Sequence, residues 1–248
     1  KVVMTTSVFN PKGIKRWVHR QEKFGRSMLA GATGFIFVNH YPGLGPATGG
    51  IGPDDSQGGE AQIPGFALSL EDGAYLQRLV KRHGEVKIHL HSSDVCEPMI
   101  SWNVIADLPG QTENGPIVMM GSHYDGHDIS QGAGDPASGA VSVLEAARLL
   151  ARYTPGLPRT VRFVLWRIEE FGLLGSRAYV TAHAGELDQI RFYLNMDSAG
   201  TKANERDIVL NEWPELQPLV EQWRDVSRDT PSLGSHSAFS ISAITFLR

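Results

Sequence analysis

Two carboxylates stand side by side in "FVLWRIEEFGLLGS", where Glu169 and Glu170 follow an apolar run and precede a glycine-punctuated segment. Other residues able to bind metal or move protons fall in the same kind of place. His123 and Asp125 follow "PIVMMGS", Asp135 stands where a helix-forming stretch begins, and Asp197 follows "IRFYLNM". Taken singly, each has an ordinary reading. Asp135-Pro136 suits a helix cap with proline at the first helical position. Glu169-Glu170 suits a solvated strand end, Asp197-Ser198 a turn, and His123 a loop. Taken together, one histidine and five carboxylates at the ends of successive apolar runs ask for a common cause. Carboxylates held close repel one another unless a divalent cation neutralises them. Imidazole and carboxylate donors without a thiolate suit zinc in an open, catalytic setting. So few donors cannot give each of two ions four protein ligands, which makes a shared carboxylate natural. Two ions roughly 3.5–4 Å apart clamp a hydrolytic water and a substrate oxygen.

Such a site requires the apolar runs to be strands of one sheet, because ligands of open α/β sheets sit beyond the strands' carboxyl ends. "NVIADLPG" and "PIVMMGSH" read as neighbouring strands joined by the turn-rich "GQTENG". "SGAVSVLEAARLLARY" (138–153) carries apolar residues at helical spacing and no proline. "TVRFVLWRI" reads as a strand, "SRAYVTAHA" as a helix and "IRFYLNMD" as a further strand. This alternation predicts right-handed crossovers and an α/β fold with a mostly parallel sheet.

An upstream block runs to about Glu97. "KVVMTT" and "GFIFVNH" suit buried strands, separated by a helix-compatible stretch over 13–30 with glycines at 31 and 34 marking its exit. "YPGLGPATGGIGPDDSQGGE" lacks the Gly-Lys-Ser/Thr ending of a phosphate-binding loop and reads as plain loop. "IPGFALSLEDGAYLQRLVKRHG" gives a strand and then a helix capped by Ser69, with Asp72 three residues on. "EVKIHLHS" alternates in strand fashion, and His89 and His91 share a face with nothing nearby to complete a metal set. The break near residues 97–101 divides the chain into domains 1–98 and 99–248.

The bulk numbers exclude several classes. At 248 residues, 41% hydrophobic and 20% charged, the chain has ordinary globular composition. A net charge of −4 with scattered Lys and Arg leaves no footprint for nucleic acid or anionic membrane. No apolar run approaches the ~20 residues of a membrane span. The single Cys96 excludes an intrachain disulfide. The chain opens at Lys1 with neither Met nor a signal-peptide pattern, so its natural N-terminus is expected to lie upstream.

"GSHYDGH", "QGAGDPASGAVSVLEAARLL", "RTVRFVLWRIEEFGLLGSRAYV" and "YLNMDSAG" resemble, in order and spacing, the four successive motifs of the co-catalytic zinc exopeptidases. That group includes secreted bacterial aminopeptidases, aminopeptidase Y, the glutamate carboxypeptidases and, more distantly, glutaminyl cyclase and the transferrin receptor ectodomain. The resemblance covers about Asn103–Gly200. In the first block, "AGATGFIFVN" and "IPGFALSLEDGAYL" resemble, more loosely, the protease-associated domain that many members carry. The resemblance implies a mixed, mostly parallel sheet flanked by helices, and zinc, with two ions in the complete enzyme. It implies that His123 and Asp197 hold one metal, Asp135 bridges both, and Glu170 holds the other. Glu169 becomes the general base, and Asp125 the acceptor that orients the His123 imidazole. It also implies a cis peptide after Asp135, a peptide substrate and a secreted or extracytoplasmic location.

Beyond Gly200 the resemblance thins. "GSHSAF" looks like a degraded Ser-Asp-His-x-Pro-Phe motif, with Ser235 and Ala238 where Asp and Pro are usual, and "ISAITFL" resembles the strand after it. The family's last metal ligand, a downstream histidine, has no counterpart before Arg248, so the catalytic domain is expected to be incomplete at its C-terminal end. His236 is expected to line the site rather than replace that ligand. The function implied is an aminopeptidase. A carboxypeptidase or dipeptidase of the same fold is one alternative, and a binding or receptor domain that lost the chemistry is another. Retention of Glu169 and four metal ligands argues against the last, and glutaminyl cyclisation needs only one zinc.

Overall fold

"GFIFV" has no polar side chain, and a strand of that kind must be covered on both faces. It forms β2 (Gly34–Val38), buried throughout, at the centre of a parallel sheet between β1 (Val2–Thr6) and β3 (Gly65–Leu68). This computed structural model describes residues 1–198 except 11, 16, 17, 53–61, 94, 96 and 128, together with 208–210, 215, 217–228 and 241–244. The chain divides into two compact units, Lys1–Met99 and Ile100–Arg248.

In the first unit, α1 (Arg20–Leu29) sets Phe24 against Phe35, edge to face with ring centroids 5.2 Å apart, and Phe37 completes that core. On the other face α2 (Leu70–His83) brings Gly73 so close to Val38 that no β-carbon would fit. Ser69 caps α2 as expected, its Oγ accepting from the Asp72 N–H at 3.0 Å. Two expectations need correction. The first helix begins only at Arg20, where the His19 ring takes the N-cap role, and Gly13 has a left-handed φ of 87° that a helix does not accept. Residues 85–92 form no strand. Ile88, Leu90 and the two exposed histidines, His89 and His91, instead line a groove with Ile36, Phe66, Leu68 and Leu76. Alternation in sequence here comes without a ladder: four consecutive residues, Ile88 to His91, line the groove.

The second unit holds a six-stranded sheet in the order β4-β6-β5-β7-β9-β8. Its strands are β4 (Val104–Leu108), β5 (Ile117–His123), β6 (Thr160–Trp166), β7 (Ile190–Asn195), β8 (Ile208–Leu210) and β9 (Ile241–Ile244). β5 runs parallel to both β6 and β7, and β8 to β9, whereas β4 and β9 enter antiparallel to β6 and β7. β4 and β5 are therefore not neighbours, as the turn-rich link suggested. β6 lies between them, because the crossover through α3 (Ser138–Leu150) returns β6 to that side of β5.

The strands alternate as two covered faces require. Phe163 and Met196 pack with Val143 of α3 on one face. Ile117, Met119, Val164, Trp166 and Ile190 pack with Tyr179 of α4 (Leu174–Ala182) on the other. A fifth helix, α5 (Gln217–Arg228), follows β8. No helix among the described residues is long and apolar enough to cross a membrane.

Candidate metal centre

The register brings three carboxyl ends together. His123, the last residue of β5, pairs with Trp166, the last of β6, and Gly121 pairs with Asn195, the last of β7. The Met196 N–H donates to the Gly121 carbonyl at 2.8 Å and carries β7 one residue further along β5. Below this rim Trp166 Nε1–H donates to the Tyr193 hydroxyl at 2.6 Å, which donates to Asn195 Oδ1 at 2.7 Å, tying β6 to β7 across β5. Asp197 thus emerges beside His123. Glu169 and Glu170 emerge from β6, and Asp135 arrives on the loop that leads from β5 to α3.

His123 is 2% exposed, and its two ring nitrogens face different partners. Nδ1 lies 2.8 Å from the Asp125 backbone carbonyl, which can only accept, so Nδ1 carries a proton. Nε2 then points at two further acceptors, Asp197 Oδ1 at 2.9 Å and Asp135 Oδ1 at 3.0 Å. A bare lone pair there would repel both. Either a second proton or a cation must answer the two carboxylates. Burial opposes a charged ring, but the hydrogen bonds to Asp135 and Asp197, with the charges of Asp197 and Glu169, raise the imidazole to about 11. The His123 bond lowers the Asp135 carboxyl against its own desolvation, with a smaller contribution from His127.

Asp125 does a different job from the one expected. Its carboxylate stands 3.7 Å from His123 Nδ1, too far for a hydrogen bond, and its backbone carbonyl orients the ring instead. The carboxylate receives the backbone N–H groups of Glu169 (3.1 Å) and Glu170 (3.3 Å). It anchors a turn that needs anchoring, since Ile168 has φ of 58°, a left-handed conformation rare for a β-branched residue. Asn103 clamps the same turn by accepting from the Arg167 N–H and donating to the Gly175 carbonyl.

Burial raises the pKa of both glutamates. For Glu169 the neighbouring carboxylates add to desolvation while His123 opposes it. Glu170 is pushed to about 7, by desolvation and then by Asp135 and Glu169. Its Oε2 lies 2.8 Å from His127 Nε2, and its Oε1 is buried with no hydrogen-bond partner among the described residues. His123, Asp135 and Glu170 each offer a ligand atom within 4.8 Å of the other two. A nitrogen and an oxygen bound to one tetrahedral zinc at 2.0–2.2 Å stand roughly 3.3 Å apart. The ring-to-carboxylate distances of 2.9 and 3.0 Å around His123 come within a few tenths of an ångström of that. Glu170 Oε1 is a further acceptor oxygen that no N–H or O–H of the described residues meets. The donor set fits zinc.

Asp135 is not a helix cap. It lies inside a π-type turn (Ala133–Ala137) with non-helical φ and ψ, its bond to Pro136 is cis, and α3 begins at Ser138. The helix then approaches β7 so closely that a β-carbon on Gly139 would stand 1.8 Å from the Met196 carbonyl and 2.1 Å from that of Asp197. Among the described residues at this rim, His127 is one that sequence reasoning passed over. Its signal was position, two residues past Asp125 in the same loop. His236, Ser235 and Ala238 lie outside the described residues.

A family model described as peptidase family M28 matches residues 103–236. Leucine aminopeptidase 2 of Trichophyton rubrum is 35% identical over 181 residues, which cover 73% of this chain and 34% of that protein. Leucine aminopeptidase 2 of Arthroderma otae is 34% identical over 181 residues, with the same coverage of 73% and 34%. The chain thus spans about a third of the length of these curated relatives. Among solved structures, a zinc aminopeptidase from Bacillus subtilis superposes with a TM-score of 0.64 at 24% identity, over 98% of this chain and 54% of that one. A peptidase M28 precursor from Shewanella amazonensis gives a TM-score of 0.60 at 21% identity, over 99% and 58%. At such identities the likeness speaks for the fold.

Proposed function

The chain belongs to peptidase family M28, and from that membership we propose that it carries the catalytic centre of a zinc-dependent aminopeptidase, which hydrolyses N-terminal residues from peptides. One observation carries the reading: a histidine nitrogen held by a backbone carbonyl on one side faces two carboxylates on the other. The relatives' names as leucine aminopeptidases favour cleavage at the amino end over a carboxypeptidase or dipeptidase. In this reading His123, Asp135 and Asp197 would hold one zinc, and Asp135 and Glu170 would help to hold a second. Bound zinc supplies Lewis acidity toward the peptide carbonyl and makes water more acidic. Glu169, desolvated and raised in pKa, takes a proton from the attacking water and delivers it to the departing amine. Asp125 holds the backbone of both glutamates so that neither carboxylate has to organise itself. A receptor role without chemistry gives these arrangements nothing to do. For the first unit we keep the protease-associated domain as the proposed identity, on the motifs around Gly34 and Ser69.

Zinc content and hydrolysis measured on the full-length protein test the reading. Expected are zinc in the purified protein, cleavage of a leucyl amide, no cleavage of its N-acetylated form, and loss of activity on chelation with recovery on adding zinc. Equal cleavage of the blocked substrate, or hydrolysis that survives complete zinc removal, would overturn it. Among the described residues the His123 position has three candidate ligands and the Glu170 position two.

A further inference from the structure

Among the described residues, the candidate ligands of the second position are the carboxylates of Asp135 and Glu170. A carboxylate in such a place has two oxygens and several ways to turn. Glu170 is held in one of them. Its backbone N–H is fixed on Asp125 Oδ2 at 3.3 Å, and its side chain is only 10% exposed. One oxygen, Oε2, meets His127 Nε2 at 2.8 Å, while the other, Oε1, is buried and has no partner among the described residues. His127 is itself placed by the loop after β5, where its carbonyl accepts from the Ser130 N–H at 3.0 Å.

We propose that His127 is a positioning residue of the metal centre: its Nε2–H holds Oε2 of Glu170, which leaves the buried, partnerless Oε1 as the oxygen offered to a cation. Ionised, as a ligand to a cation is, the Glu170 carboxylate only accepts, so the imidazole is the donor in this pair. Hydrogen bonds from outside the coordination sphere commonly decide how well a ligand is presented, and their removal costs roughly 10- to 100-fold in metal affinity. His127 serves Glu170 as the Asp125 carbonyl serves His123, each fixing one atom of a ligand so that another is free to bind. The inference rests on the proposed metal centre and adds a residue to it.

Zinc titration against a competing chelator on the full-length protein, wild type and variants, tests it, with cobalt(II) absorption reporting coordination at each position. His127→Leu should weaken the second ion about 10- to 100-fold and leave the first unchanged. His127→Gln, which can donate from a similar place, should retain most of the affinity. Unchanged binding of both ions in His127→Leu would overturn the inference and leave the metal centre standing. Loss of the second ion from His127→Gln as complete as from His127→Leu, with a changed cobalt spectrum, would make the imidazole itself a ligand and overturn the positioning role. A wild-type protein that binds no zinc would remove the metal centre on which both ideas depend.

Discussion

Glu169→Gln keeps the shape of the side chain and removes its capacity to take a proton. It should lower kcat by at least ~10²-fold with zinc content unchanged, whereas Glu170→Gln should lower zinc content. Near-normal turnover in the Glu169 variant would refute the division of labour between the two neighbours. Glu170 also predicts a pH dependence in the chelated protein. Its carboxyl titrates at about 7 in the folded chain against an ordinary 4.5, because burial, Asp135 and Glu169 disfavour its charge. Between those values the folded state holds the proton more often than the unfolded state. Stability from this group is therefore full below about pH 4.5 and is lost as pH rises toward 7. Urea midpoints of the chelated wild type should accordingly fall relative to Glu170→Gln over that window. Saturating zinc should reverse the difference, since a cation favours the ionised carboxylate. A wild type that gains on the variant with rising pH, without zinc, would contradict the assigned cause.

At the level of elements, the site depends on how close α3 comes to the end of β7. Gly139→Ala puts a methyl where the carbonyls of Met196 and Asp197 already stand, so helix and strand must part. Overpacking of this kind costs about 1–3 kcal/mol, and here it separates Asp135 before the helix from Asp197 after the strand. Thermal or urea unfolding should register the loss, and zinc affinity at the His123 position should fall with it; unchanged affinity would mean that the approach is not what aligns the two carboxylates. The same scale decides what could be read from the chain in advance. Apolar runs ending in His123, Glu169-Glu170 and Asp197 disclose one sheet and one rim, because side-chain chemistry and strand ends coincide there. The place of β4 was not legible: a turn-rich link is compatible with adjacent pairing or with stepping across a strand, and the first is excluded because β6 and β7 take both edges of β5. Residues 85–92 alternate in sequence yet pair with no strand. The Asp125 carboxylate was assigned to the wrong partner because spacing cannot distinguish a side chain from its own carbonyl as the acceptor. His127 was missed because its partner, Glu170, lies 43 residues away in sequence (170 − 127) and meets it only through the sheet.

At the scale of the whole molecule, the two units have separate cores: Phe24, Phe35 and Phe37 in the first, and the layers on either face of β5, β6 and β7 in the second. Every candidate ligand, the candidate base, Asp125 and His127 belong to the second. A ligand that binds only the folded state stabilises what it binds by RT ln(1 + [L]/Kd), about 4 kcal/mol at a thousandfold excess over Kd. That stabilisation reaches only the part of the chain whose opening destroys the site. Zinc at such an excess should therefore slow hydrogen exchange of the β5, β6 and β7 amides by up to ~10³-fold where exchange proceeds through opening of their unit. The β2 amides, in a strand buried throughout but in the first unit, should exchange at an unchanged rate. Hydrogen–deuterium exchange read peptide by peptide, with and without zinc, separates the two responses in one experiment. Equal slowing in β2 and β5 would mean that the units open as one cooperative body, and that the separate cores do not mark separate stabilities.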